Sequence, residues 1–89
     1  MKRVSIRIEG CVQGVGFRWS ARARASQLGV SGSVRNEDDG SVYAEAEGTD
    51  AAVDQFVAWC HRGPTGATVT RVTVRDGAAR GASGFAIKG

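Results

Sequence analysis

The sequence predicts an α+β domain, with strands and two helices in the order β-α-β-β-α-β and a short strand at the end. Three observations carry that prediction. Apolar and polar residues alternate in three separate stretches, the period of strands buried on one face. Two other stretches switch to helical spacing, and each ends near a glycine. Eighty-nine residues supply one modest core and no more, so residues 1–89 are expected to form a single domain.

In KRVSIRIE, residues 2–9, Val4, Ile6 and Ile8 fall on one face and Arg3, Ser5 and Arg7 on the other. From Phe17 the period changes. Phe17, Ala21, Ala25 and Leu28 form one helical stripe, Arg22, Arg24 and Gln27 lie outside it, and Gly29 stops the helix. Residues 30–37 and 41–47 read as two strands joined through "DDG", a turn signal because Asp-Gly accepts positive φ. In the second of these strands Val42, Ala44 and Ala46 alternate with Tyr43, Glu45 and Glu47. Thr49 or Asp50 is placed to cap a second helix, in which Val53, Phe56, Val57 and Cys60 share one face. "RGP" at 62–64 ends it, "TVTRVTVRD" at 68–76 alternates once more, and "FAIK" at 85–88 forms a short last strand. No repeat, linker or low-complexity segment interrupts the series.

This order matches the ferredoxin-like split βαβ sandwich, a mixed, mainly antiparallel sheet with both helices on one face. In that arrangement the strand before the first helix and the strand after it run parallel, with another strand between them. The loop at 10–16 and the "RNEDDG" turn therefore leave the sheet at the same end. Residues some twenty positions apart are brought to one place.

Composition narrows the function. The chain is 42% hydrophobic and 24% charged, ordinary globular usage, and its formal charge of +3 favours anionic partners in general. The opening MKRVSIRIEG has no unbroken apolar core and no small-residue cleavage site, so it reads neither as a signal peptide nor as a membrane span. A cytoplasmic location and, at this size, a monomer are the expectations. Cys11 and Cys60 are too few for a disulfide framework, though a single bridge stays open. With one histidine there is no metal-ligand cluster, and neither metal nor cofactor is expected.

The chemistry-bearing segment is "GCVQGVGFRW", residues 10–19. Gly14 and Gly16 permit conformations that turn successive N–H groups inward, an anion nest at a helix N-terminus. Arg18 adds a planar guanidinium suited to phosphate oxygens. Known nucleotide motifs do not fit: a dinucleotide fingerprint would need glycine where Trp19 stands, and no Gly-Lys-Ser/Thr is present. A thiolate phosphatase would place five residues between cysteine and arginine. Cys11 and Arg18 enclose six, which moves the sulfur out of line with the phosphorus. On these residues alone, a tight turn with Arg18 in solvent stays open beside the phosphate loop.

"GCVQGVGFR" followed by "GSVRNEDDGSVYAEAEG" resembles the two signature segments of the acylphosphatase family, and the likeness continues through "FVAWC" to "FAIKG". The resemblance covers essentially the whole chain and implies the same ferredoxin-like fold. It implies metal-independent hydrolysis of the carboxyl–phosphate bond of acyl phosphates, giving carboxylate and inorganic phosphate with no covalent intermediate. It further implies that Val12, Gln13, Gly14, Val15, Gly16, Phe17 and Arg18 bind the phosphate, that Arg18 is catalytic, and that Asn36 positions the attacking water. Such chemistry suits a sparse site. The leaving carboxylate has a pKa on the order of 4 to 5, like that of Glu, and departs without a general acid.

Other assignments complete the reading. Arg7, Arg22, Arg24, Arg35 and Arg71 are expected as solvated charges, His61 as a helix-end cation without a catalytic role, and Phe17 as a core anchor for the loop. Phe56 and Trp59 are expected in the core or at its rim, away from the site. An RNA-binding module on the same fold would display aromatics on the central strands. Here only Tyr43 is available, beside Glu45 and Glu47, which repel a phosphate backbone. A small-ligand regulatory domain would bind an anion without turnover.

Overall fold

In the computed structural model, which describes residues 1–89, alternation carries the first strand two residues further than expected, from Lys2 to Cys11 (β1). The other elements follow the expected order: α1 Phe17–Leu28, β2 Ser31–Asn36, β3 Val42–Gly48, α2 Asp50–Cys60, β4 Thr68–Gly77 and β5 Phe85–Lys88. Thr49 caps α2, its side chain accepting from the Ala52 N–H at 3.2 Å. Gly29 takes the left-handed conformation that ends α1.

The five strands form one sheet in the order β4-β1-β3-β2-β5. β3 is antiparallel to both β1 and β2, so those two run parallel with β3 between them, and β5 adds to β2 in parallel. Val42 pairs with Ile8 on one side and Asn36 on the other, so the ends of β1 and β2 lie at the same end of the sheet. Two glycines allow strands to approach. A Cβ on Gly10, at the shift in β1–β4 register, would meet the Thr68 carbonyl oxygen at 2.1 Å; one on Gly32 would meet that of Glu45 at 1.9 Å.

One face of the sheet carries the core. Val4, Ile6 and Ile8 of β1 and Val42, Ala44 and Ala46 of β3 are buried against Phe17, Ala21 and Ala25 of α1 and Val53, Phe56 and Cys60 of α2. Phe56 is fully buried, with the Trp59 ring at 6.1 Å and that of Phe85 at 5.6 Å. Truncating such a residue to Ala costs about 3–5 kcal/mol. Trp59 is in the core as expected, but not away from the loop. Its ring lies 5.2 Å from Phe17 at the start of α1, because α2 runs parallel to β1 and delivers its C-terminus to the same end.

The opposite face is polar, and there the structure departs from the simple alternation. Glu47, expected to point into solvent, is 1% exposed. Its carboxylate accepts from Arg3 at 3.0 Å and from the backbone N–H groups of Arg80, Gly81 and Ala82 at 2.7, 2.9 and 3.1 Å. The segment between β4 and β5 crosses one end of this face and covers Glu47 there. Arg7 and Arg35 are exposed, as expected of solvated charges, and each is paired: Arg7 with Asp39, and Arg35 with Glu37 at 3.1 Å.

Candidate functional site

The candidate loop begins where β1 ends. Val12 is buried and Val15 half-buried against the core, which fixes the loop at two apolar points. Between and after them Gly14 and Gly16 have φ of 75° and 77°, the left-handed region that glycine enters without steric cost. Gly16 is the N-cap of α1 and supplies no side chain to it. The first helical bond runs from the Ser20 N–H to the Gly16 oxygen at 3.0 Å, so the amides of Phe17, Arg18 and Trp19 precede the helical ladder. No acidic residue occupies the first turn. The result is a helix N-terminus with donors unspent and a positive dipole end, the requirement for holding an anion. Phe17 is 2% exposed and anchors this turn in the core against Trp59, as expected.

Two contacts bring the loop to the end of β2. The Gln13 side-chain amide donates to the Glu37 carbonyl at 2.7 Å and to the Ser41 carbonyl at 2.9 Å, stitching the loop to the β2–β3 turn immediately after Asn36. Arg18 donates through Nη1 to the Gly89 backbone oxygen at 3.0 Å. The parallel register Arg35↔Lys88 sets Gly89 beside Asn36, so Arg18 and Asn36 are drawn to the same neighbourhood. Asn36 is the last residue of β2, half-buried, and shares the helix-side face with Val34. One of the five guanidinium donors is used by Gly89, which leaves the others for a ligand.

The turn between β2 and β3 is closed by its own bonds. The Ser41 N–H and hydroxyl both donate to Asp39, at 3.0 and 2.6 Å, and only Gly40 takes a positive φ, at 92°; Asp39 does not. The Ser41 hydroxyl and N–H, with the Arg7 guanidinium, hold the Asp39 carboxyl down to about 2. Glu37 and Asp39 of this turn thus each have an arginine partner, Asp38 is exposed without one, and no ion pair engages Arg18. An anion at the loop meets an Arg18 free of ion pairs, with two of the turn's three carboxylates already engaged. A groove of about 330 Å³ lies on the open sheet face, lined by Ser5, Arg7, Glu37, Tyr43, Thr73 and Arg75, and shares no residue with the loop.

The sequence reading missed Gly89 as a contact of Arg18 and the double role of Gln13. Gly89 carries no local signal, because only the β2–β5 pairing brings it to the loop. Cys11 is exposed, Cys60 is buried, and both are free; burial pushes the Cys60 thiol up to about 12.

Comparison with known proteins bears on this arrangement. A family model described as "Acylphosphatase" matches residues 4–87. A protein of Thermococcus kodakarensis named acylphosphatase is 50% identical over 91 aligned positions, covering 100% of both chains. One of Rubrobacter xylanophilus with the same name is 52% identical, covering 98% of this chain and 80% of its own. The crystal structure of an acylphosphatase from Bacillus subtilis superposes with a TM-score of 0.96 at 35% identity, covering 99% of each chain.

Proposed function

From the premise that this chain belongs to the acylphosphatase family, we propose that Arg18 and Asn36 carry the reaction and that Val12–Arg18 forms the phosphate cradle. The protein is an acylphosphatase, and its substrate is a small acyl phosphate. The observation that carries the residue assignment is the pair of bonds from Gln13 to Glu37 and from Arg18 to Gly89, which tie the loop to the turn after β2 and the guanidinium to the end of the neighbouring β5.

The phosphoryl group sits over the N-terminus of α1. The amides of the loop and first turn surround its oxygens, and Arg18 neutralises charge on the equatorial oxygens as the bond to the leaving group lengthens. Asn36 offers its side-chain oxygen to a hydrogen of the attacking water. Being neutral, it does this without repelling the dianion, as an aspartate would. No strong base is needed in this scheme: a substrate phosphate oxygen takes the water's proton, and the carboxylate leaves unprotonated because its conjugate acid has a pKa of only about 4 to 5. Inorganic phosphate, as product, occupies the same cradle and inhibits. Holding water and phosphoryl group in line supplies most of what phosphoryl transfer asks of a protein.

Residues 1–89 act, in this reading, as one domain, a monomer in the cytoplasm, without metal or cofactor. No helix is long and apolar enough to cross a membrane. The test is hydrolysis of benzoyl phosphate in the presence of EDTA by the native protein and by Arg18→Ala. Native turnover should persist, and the variant should lose on the order of 10²–10³ in kcat, the usual cost of removing one donor to a developing oxyanion. Metal dependence, or undiminished turnover by the variant, would overturn the reading. Light scattering tests the monomer.

A further inference from the structure

α1 carries Arg18, Arg22 and Arg24 and neither Asp nor Glu. The ion pairs of the molecule gather the cations of the sheet and of the segment crossing it: Lys2, Arg3, Arg7, Arg35, Arg71 and Arg80. None reaches the arginines of α1. Arg22 is set apart by how it is held. Its guanidinium carbon lies 4.5 Å from the centroid of the Trp19 ring. Trp19 is 61% exposed, a large indole on the outside of the helix directly after Arg18.

A guanidinium stacked on an indole spends its flat face and keeps its N–H edge for an anion. Arg22 stands four residues after Arg18, on the same flank of α1, where Cβ atoms are about 5–6 Å apart. Side chains on a helix lean toward its N-terminus, so Trp19 and Arg22 extend over the turn that carries Arg18. Two like charges at this spacing oppose one another unless an anion lies between them. Arg24 is on the other flank, lining a cleft of about 220 Å³ with Leu28, Gln55, Ala58, Trp59 and Arg62.

We propose that Arg22, held in place by the Trp19 ring, is a specificity-determining residue that receives a second anionic group, a carboxylate, on the acyl portion of the substrate. The preferred substrates are then acyl phosphates of dicarboxylic acids, with the phosphoryl group on the loop and Arg18 and the distal carboxylate at Arg22. This rests on the phosphate cradle proposed above.

The test compares kcat/KM for benzoyl phosphate with that for its 3- and 4-carboxy derivatives, which differ in charge with the reacting bond unchanged. The native protein should favour one carboxylated substrate by about three- to fivefold at low salt, the gain expected of one exposed ion pair, with the difference in KM. Arg22→Gln should erase that ratio, and Trp19→Ala should shrink it by releasing the guanidinium. Arg24→Gln should keep it. No preference in the native protein, a preference surviving Arg22→Gln, or an equal loss in Arg24→Gln (a field of the whole helix) would overturn the proposal. Failure of the native protein to hydrolyse benzoyl phosphate at all would overturn the underlying cradle, and this subsite with it.

Discussion

Arg3 and Glu47 form an ion pair at the covered end of the sheet's polar face: Nη1 of Arg3 donates to Oε1 of Glu47 at 3.0 Å, with the two residues 9% and 1% exposed. The same carboxylate holds the amides of Arg80, Gly81 and Ala82. One side chain of β3 thus fixes the segment that carries the chain from β4 to β5, and β5 leads to Gly89, where Arg18 is bonded. Removing it leaves three amides without their acceptor and takes one of two carboxylates from a buried guanidinium, which keeps Glu45. Glu47→Ala should lower the melting temperature by about 10 °C in a domain of this size. Glu47→Gln should fall between, because its oxygen still accepts while its NH₂ faces donors. Thermal unfolding followed by circular dichroism reads this. An unmoved transition in Glu47→Ala would mean that the segment is held by other contacts.

Three carboxylates make stability depend on acidity. Glu47 is held below the ordinary carboxylate value chiefly by the Arg80 N–H and also by Arg3, Glu45 chiefly by Arg3, and Asp39 lies at about 2 chiefly through the Ser41 hydroxyl. Because each folded value is depressed, the unfolded chain binds more protons in the acid range. The stabilisation is complete above the unfolded values, 4.5 for Glu and 3.8 for Asp, and is lost as pH falls through the folded ones. The melting temperature should therefore be flat near neutrality, begin to fall below about pH 5, and go on falling toward about 2. In Glu47→Gln the fall should be shallower. An equally steep fall in that variant would assign the acid sensitivity elsewhere.

Glycines of two kinds should respond differently to alanine. Gly14 and Gly16 have positive φ but open space where a Cβ would go. Alanine there costs only the left-handed strain, about 1–2 kcal/mol. Gly16→Ala should fold and lose activity by misdirecting the loop amides. Gly10→Ala meets backbone, with its Cβ 2.1 Å from the Thr68 oxygen, and should open the β1–β4 pairing. Urea denaturation separates the two. A Gly10→Ala protein as stable as the native one would contradict the register at that bulge.

Much of this could be read from the sequence because it is local. Alternation in β1, β3 and β4, the α1 stripe from Phe17 to Leu28 and the Thr49 cap each depend on neighbours within a turn or two. The juxtaposition of the loop with Asn36 followed from topology alone, since β1 and β2 must be parallel once β3 lies between them. What escaped depends on distant pairing. Glu47 obeys strand alternation and still is buried, because an irregular segment some thirty residues later folds over it. Trp59 is near the loop because of the direction of α2, and Gly89 reaches Arg18 because β5 adds in parallel. Periodicity has no term for such contacts.

The cysteines separate a bystander from a reactive group. Cys11 is exposed and Cys60 buried, with its thiol pushed up to about 12. An aromatic disulfide reagent at neutral pH should titrate one thiol per native chain and two after unfolding. Cys11→Ser should keep full acyl phosphate hydrolysis, since the proposed chemistry passes through no thiolate. Inactivation by that substitution would revive a covalent mechanism.

Asn36 offers the sharpest separation of fold from chemistry. Its side chain makes no hydrogen bond within the chain, while its backbone stays in register with Val42. Asn36→Ala should therefore leave the melting temperature nearly unmoved. If its oxygen orients the attacking water, kcat should fall by about 10²-fold, with KM little changed, because the phosphate is still held by the loop and Arg18. Asn36→Asp should lose in both parameters, the added charge repelling the dianion from the cradle. Steady-state kinetics on benzoyl phosphate measures both effects. A normal kcat in Asn36→Ala would remove the water-positioning role and leave Arg18 and the amides to account for the rate.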